Sequence, residues 1–313
     1  MEETEMKRFL DCTASDFENM NKRELLEAIS ASEGRLLVCE TIGMIQPMLG
    51  DITNAEFVAS MGADIILLNI FDVNHPVIQG LPPVEEKEVV RKIKELTGRP
   101  VGINLEPMEQ GRESTVDTSE MWQLTNGRAA TLENAKKAVE MGVDLIVLTG
   151  NPGIGVTNKA ISETLRLFRK ELGDQVILVA GKMHASGILS EAGEHMITKE
   201  DVHAFAEAGA DIILMPAPGT VPGITMEYVR SLVVCAHELG KMTLTAIGTS
   251  QEGADTDTIK NIALMCKMTG TDLHHLGDAG YGGMALPENI LAYGKVIRGI
   301  RHTYHRMAAS IKR

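Results

Sequence analysis

Cysteine is sparse in this 313-residue chain, and its four copies, Cys12, Cys39, Cys235 and Cys266, lie far apart with no C-x-x-C pair. Neither a disulfide framework nor a structural zinc site is indicated. Long apolar runs are missing too: no stretch of about 18 uninterrupted apolar residues occurs, as a membrane-spanning helix would need. The first residues, Met1-Glu-Glu-Thr-Glu5, are acidic rather than a basic leader ahead of an apolar run. A protein of the cytoplasm, off the membrane, is the expectation. Positive charge is also short, with 30 Lys and Arg against 43 Asp and Glu and a net charge of -13. A nucleic-acid partner is therefore not expected, because the phosphate backbone rewards basic patches. The one basic stretch, Arg298 to Arg313, suits the cationic end of a last helix.

Several motifs are absent as well. No G-x-G-x-x-G joins a strand to a helix, so no dinucleotide site is indicated. No D-x-D-x-T/V follows a first strand, which argues against phosphotransfer through an aspartyl nucleophile. Apolar residues, by contrast, make up 44% of the chain, enough to bury a full core in one large domain or two smaller ones.

Residues 1 to 34 form a polar lead-in with a helix predicted from Asn21 to Ser32. From there one pattern repeats eight times: a glycine, a short apolar run, a polar or glycine-rich loop and an amphipathic helix. The glycines are Gly34, Gly62, Gly98, Gly142, Gly173, Gly209, Gly240 and Gly270, each where a helix needs a residue tolerant of positive φ to stop. The runs are Leu36-Thr41, Ile65-Asp72, Val101-Glu106, Leu145-Gly150, Val176-His184, Ile212-Pro216, Met242-Ile247 and Leu273-Leu276. Eight strands alternating with eight helices give an α/β chain that closes as a single (β/α)8 TIM barrel over residues 35–313, with residues 1–34 as an N-terminal helical extension. Every even strand is introduced alike, by Gly62-Ala-Asp64, Gly142-Val-Asp144, Gly209-Ala-Asp211 and Gly270-Thr-Asp272, so four βαβα units are implied. Those aspartates fall at the N-terminal face, where polar residues serve stability. Thr53-Asn-Ala-Glu56 is a capping box, Thr198-Lys-Glu-Asp201 a looser one, and Pro287 fits a first helical turn.

Strand-to-helix connections are long and helix-to-strand connections short, which marks the C-terminal face as the working one. The longest loop, about 107 to 130, holds the only tryptophan, Trp122, and is expected to be a lid, a subunit contact in a homo-oligomer, or a mobile loop without a catalytic role. Strand ends supply Glu40, Asn69, Asp72, Asn104, Glu106, Thr149, Asn151, Lys182, His184, His275 and Asp278. Active sites of such barrels are assembled there from several strands. Side chains alternate along a strand, so Leu178, Ala180, Lys182 and His184 are expected on one face.

Lys182, His184, Glu40 and Glu106 are the expected catalytic groups, with Asn69, Asn104, Thr149, Asn151 and His275 on the substrate. Three roles are open to Lys182: a Schiff-base nucleophile, a fixed cation for a carboxylate or phosphate, or a proton carrier beside His184. Glu40 and Glu106, with Asp72, offer a second chemistry, a Mg2+ or Mn2+ ion polarising an enolate, since hard cations take oxygen ligands. No D-x-D or H-x-x-H spacing marks a ligand cluster. The loops Gly248-Thr249, after strand seven, and Gly277 to Gly280, after strand eight, are the expected phosphate cradle, because glycines let backbone N–H groups approach an anion. They bring no lysine or arginine of their own, and Glu252, Asp255, Asp257 and Asp278 lie in or close after them.

Gly62-Ala-Asp-Ile-Ile-Leu-Leu-Asn69, Pro100-Val-Gly-Ile-Asn104 and Val147-Leu-Thr-Gly-Asn-Pro-Gly153 resemble an uncharacterised bacterial branch of the phosphate-binding (β/α)8 barrels, with some similarity to BtpA-like barrels. The resemblance implies an enzyme acting next to a carbonyl of a small, phosphorylated, sugar-like metabolite, of lyase or aldolase type. A sugar-phosphate isomerase or epimerase, and a non-catalytic regulatory barrel, are the alternatives. One departure stands out: many aldolase barrels carry the Schiff-base lysine on strand six, which here ends Met215-Pro-Ala-Pro218.

Overall fold

The computed structural model describes residues 7–109, 123–151, 155–185 and 187–313. Eight parallel strands pair in chain order and the last closes on the first. They are β1 (Leu36–Ile42), β2 (Ile65–Asn69), β3 (Val101–Leu105), β4 (Leu145–Leu148), β5 (Ile177–Gly181), β6 (Ile212–Pro216), β7 (Met242–Ile247) and β8 (Leu273–Leu276). Two helices, α1 (Ala14–Asn19) and α2 (Lys22–Ser30), precede the barrel. Around it lie α3 (Asn54–Ser60), α4 (Val89–Thr97), α5 (Leu132–Glu140), α6 (Asn158–Leu172), α7 (Lys199–Ala208), α8 (Met226–Glu238), α9 (Thr256–Thr269) and α10 (Pro287–Ala308). The chain is a single (β/α)8 barrel. Among the described residues no helix is long and apolar enough to cross a membrane.

Local signals account for this alternation. All eight repeat glycines take positive φ, between 58° and 107°, and so end the helices where a side chain would strain the backbone. Thr53 with Glu56 and Thr198 with Asp201 close reciprocal capping boxes, as do Thr13 with Asp16 and Asn21 with Glu24. Pro287 opens α10, where its missing N–H costs nothing.

Alternation along the strands divides the apolar residues between two cores. Leu37, Cys39, Ile66, Leu68, Leu178 and Ala180 face the helices, while Leu36, Val38, Ile65, Leu67, Ile177 and Val179 fill the barrel. The N-terminal segment belongs to the second core. Phe9, Phe17, Leu25 and Ile29 pack against the first residues of the strands and close the barrel at its N-terminal end.

The four repeated aspartates share one task. Asp64, Asp144, Asp211 and Asp272 accept the N–H of Leu37, Val101, Leu178 and Thr243 at 2.7 to 2.8 Å, each tying an even strand to the odd strand before it. Each also meets a cationic or imidazole partner: Arg298 and Arg306 at Asp64, Lys94 at Asp144, Arg169 and Lys22 at Asp211, His237 at Asp272.

Some strands stop earlier than the apolar runs suggested. β5 was expected to reach His184 but ends at Gly181, the last residue matched by β6, at Leu214. Here the strands approach so closely that a Cβ on Gly181 would overlap the carbonyl oxygen of Leu214. Gly181→Ala is accordingly expected to destabilise the fold by about 1–3 kcal/mol, read as a lower urea midpoint with an unchanged slope. With the ladder ended, His184 leaves the row it was expected to share with Leu178 and Ala180.

Candidate active site

A cavity of about 360 Å3 opens at the C-terminal ends of the strands. Glu40, Asn69, Asn104 and Thr149 continue the inward rows of β1 to β4 and line it. Their side chains hold one another. Asn104 Nδ2 donates to Glu40 Oε1 at 2.8 Å and to Asn69 Oδ1 at 2.9 Å, and Asn69 Nδ2 donates to Asp278 Oδ2 at 2.7 Å. Gly280 N–H fixes the other oxygen of Asp278 at 2.7 Å. A polar relay therefore joins the ends of β1, β2 and β3 to the loop after β8. His275 lies beneath it, buried, with Nε2 at 3.6 Å from Glu40 Oε2.

That distance is in ion-pair range, yet both partners are driven to their neutral forms. Burial, then the charge of Asp278, pushes the Glu40 carboxyl well above the ordinary value. Burial, with His184 nearby, drives the His275 imidazole down to about 4. Burial likewise raises Asp278 and Glu252 and lowers His184. A buried carboxyl whose proton affinity is raised, beside hydrogen-bonding partners, is suited to give and take protons.

Across the cavity Glu106 meets Arg128, whose Nη2 donates to Oε1 at 2.6 Å. The pair is buried because the chain returns alongside β3: Glu106 N–H donates to Arg128 O and Ala130 N–H to Glu106 O. Burial raises Glu106, opposed by the guanidinium. No local pattern in the sequence marks Arg128, which lies 22 positions after its partner. Trp122 and residues 110–122 of the expected lid lie outside the described residues.

Of the expected site residues, Glu40, Glu106, Asn69, Asn104, Thr149, Asn151, His184, Gly248, Thr249, Gly277 and Gly280 line the cavity. Three do not. His275 sits behind Glu40. Lys182 is buried on the side away from the cavity and donates to Glu191, since its position continues the helix-facing row of Leu178 and Ala180. Met183 takes the inward place, and His184 reaches the cavity because the strand has ended. Asp72 turns its own loop, accepting the N–H groups of Asn74 and His75 at 2.8 and 3.1 Å, so it is not a neighbour of Glu40 and Glu106. A Cβ on Gly127 would overlap its Oδ1.

The glycine N–H groups of the expected phosphate cradle have partners within the protein. Gly248 N–H donates to Thr220 Oγ1, Gly277 N–H to Ile247 O and Gly280 N–H to Asp278. A Cβ at Gly248 would overlap Met183, and one at Gly277 would lie 3.5 Å from Glu252 Oε2. The Thr249 hydroxyl donates to Thr220 O at 2.9 Å. Strain is concentrated here: Ile70, Thr249, Ser250 and Ala279, non-glycine residues at φ of 53° to 69°, all lie on or beside the cavity wall. Such backbone persists where a site over-determines it.

Solved structures with this architecture include an archaeal fructose 1,6-bisphosphate aldolase, at TM-score 0.56 and 14% identity over 90% of this chain and 100% of that one. A thiamine phosphate pyrophosphorylase from Pyrococcus furiosus gives 0.49 and 14% over 85% and 97%. A lyase/mutase, described as putative, from Burkholderia cenocepacia gives 0.47 and 16% over 82% and 82%. At these identities the likeness is one of fold, and it leaves the BtpA-like resemblance unsupported. No curated protein matches the chain. Residues 10–313 match the family described as domain of unknown function DUF7916, and the chain belongs to that family.

Proposed function

We propose that the chain is an enzyme of lyase or aldolase type that acts next to a carbonyl of a small metabolite by proton transfer through Glu40. The observation that carries this is the buried Glu40 carboxyl at the cavity floor, pushed towards its protonated form and held by Asn104 with His275 behind it. In its ionised form such a carboxyl abstracts a proton beside a carbonyl, becoming the protonated form its burial favours, and then returns that proton to the product. Asn69, Asn104 and Asn151 orient the substrate from the wall, and Arg128 with Glu106 bounds its far side.

Lysine is missing from the described cavity wall, which favours proton abstraction over an imine. Borohydride added with a turning-over carbonyl substrate is accordingly expected to leave no adduct on Lys182; a labelled Lys182 would restore the Schiff-base mechanism. The same proton-transfer groups serve an isomerase or epimerase, which differs only in leaving the carbon skeleton whole. The Mg2+ or Mn2+ set of Glu40, Glu106 and Asp72 is not brought together: among the described residues no three His, Cys, Asp or Glu side chains gather to hold a metal. No step is assigned to an ion.

A phosphoryl group on the substrate would lie at the mouth, where Thr249 and Ser250 are exposed, rather than on the floor. Thermal unfolding against sugar phosphates and their unphosphorylated partners, with and without magnesium, tests the binding. A ligand at about 100 times its dissociation constant adds about 2.7 kcal/mol. Hits are then assayed for turnover. Binding without turnover of any hit would instead make the barrel a regulatory one.

A further inference from the structure

We propose that the substrate presents a primary ammonium to Glu40, Glu252 and Asp278, so that the cavity takes an amine-bearing small molecule. This rests on the cavity being the active site and specifies what enters it. The charge balance of the wall is the first support. Four carboxylates face the cavity, Glu40, Glu106, Glu252 and Asp278, against one guanidinium, Arg128, which is already paired with Glu106. Among the described residues no lysine or arginine is paired with the other three. They raise one another's proton affinity instead, Asp278 acting on both glutamates. While empty, the wall resists ionisation, and an entering cation would let its carboxyls ionise, which neither an anion nor a neutral hydroxyl can do.

The second support is independent of charge. Glu252 Oε2, on one of the three proposed groups, and Asn104 Oδ1, on the side chain bonded to Glu40, are buried acceptor atoms with no hydrogen-bond partner, on side chains that line the cavity. Asn104 cannot supply a donor in place of that oxygen, because its amide N–H groups are committed to Glu40 and Asn69. Unsatisfied buried acceptors are costly, so the missing partner is a donor. An ammonium carries three donors and no acceptor. It also spans such a wall better than a metal ion, which needs its oxygens drawn to about 2.0–2.6 Å, and no three of these groups converge so.

Isothermal titration of the intact chain near neutral pH, with matched amine and hydroxyl probes, tests this. The pairs are ethanolamine and ethylene glycol, glucosamine and glucose, and glucosamine phosphate and glucose phosphate, with magnesium alone as a further arm. The amine of at least one pair is expected to bind about tenfold tighter than its hydroxyl partner, since charge-assisted hydrogen bonds are roughly twice as strong as neutral ones. Its apparent heat should vary with the buffer's ionisation enthalpy, because the entering cation drives protons off the carboxyls. Glu252→Gln should weaken the amine towards its hydroxyl partner and so erase most of that preference. Equal binding within every pair, no binding by any amine, or saturable magnesium binding that displaces the amines would each overturn the proposal. Amine-selective binding without turnover would leave it standing and remove the enzymatic reading; turnover of an amine-free substrate with no amine preference would do the reverse.

Discussion

Glu40→Gln is expected to lower turnover by about 10²–10⁴-fold, the usual contribution of a positioned general acid or base, while the substrate still binds. Glutamine keeps the shape of the side chain and an oxygen for the Asn104 amide, so the variant should fold. Its stability supplies a second signature. The folded Glu40 carboxyl titrates above the ordinary glutamate value of 4.5, so its contribution to stability is fully present below that value and is lost as pH rises through the folded one. Well above the ordinary glutamate value, surroundings that resist ionisation of this carboxyl are a burden on the fold. Glu40→Gln should therefore melt higher than the parent near pH 8 and gain nothing near pH 4. A variant that loses activity and stability together at pH 8 would mean Glu40 is structural.

Asp64→Asn is expected to cost about 3–5 kcal/mol, the range for removing one member of a buried ion pair. Asp64, Arg298 and Arg306 are almost wholly shielded from water. Asparagine can retain the bond to Leu37 N–H, so the change isolates the charge and leaves two buried guanidiniums facing each other. The loss should spread along α10 to the N-terminal closure, because Arg306 also donates to Cys12 O and Phe9 O. Asp272→Asn, at the equivalent place in another repeat, meets only the half-exposed His237 and should cost about 1 kcal/mol or less by the norm for exposed pairs. Equal urea midpoints for the two variants would refute the assignment.

The same repeat motif thus carries very different weights, and the sequence could not rank them. Gly-x-Asp before each even strand marks the same local geometry four times, but whether the aspartate is dry depends on α10, more than 200 positions away. The active-site residues divide in the same way. Glu40, Asn69 and Asn104 were legible because each continues the inward row of a paired strand, where a period of two fixes the facing. Lys182 was grouped correctly with Leu178 and Ala180, but that row was expected to reach the site and instead faces the helices. Asp72 was set at a strand end, whereas β2 stops at Asn69 and the residue turns a loop.

Local chemistry determined the barrel. Glycines at positive φ, capping residues and eight apolar runs act over a few residues, and eight alternations allow essentially one closed arrangement. Tertiary structure decided the site's charge. The pairing of Arg128 with Glu106, the turning of Lys182 towards Glu191, and the gathering of Glu40, Glu252 and Asp278 with no paired lysine or arginine among the described residues join groups from separate parts of the chain. Proton affinities depend on burial and on neighbours in space, and neither quantity exists until the chain has closed.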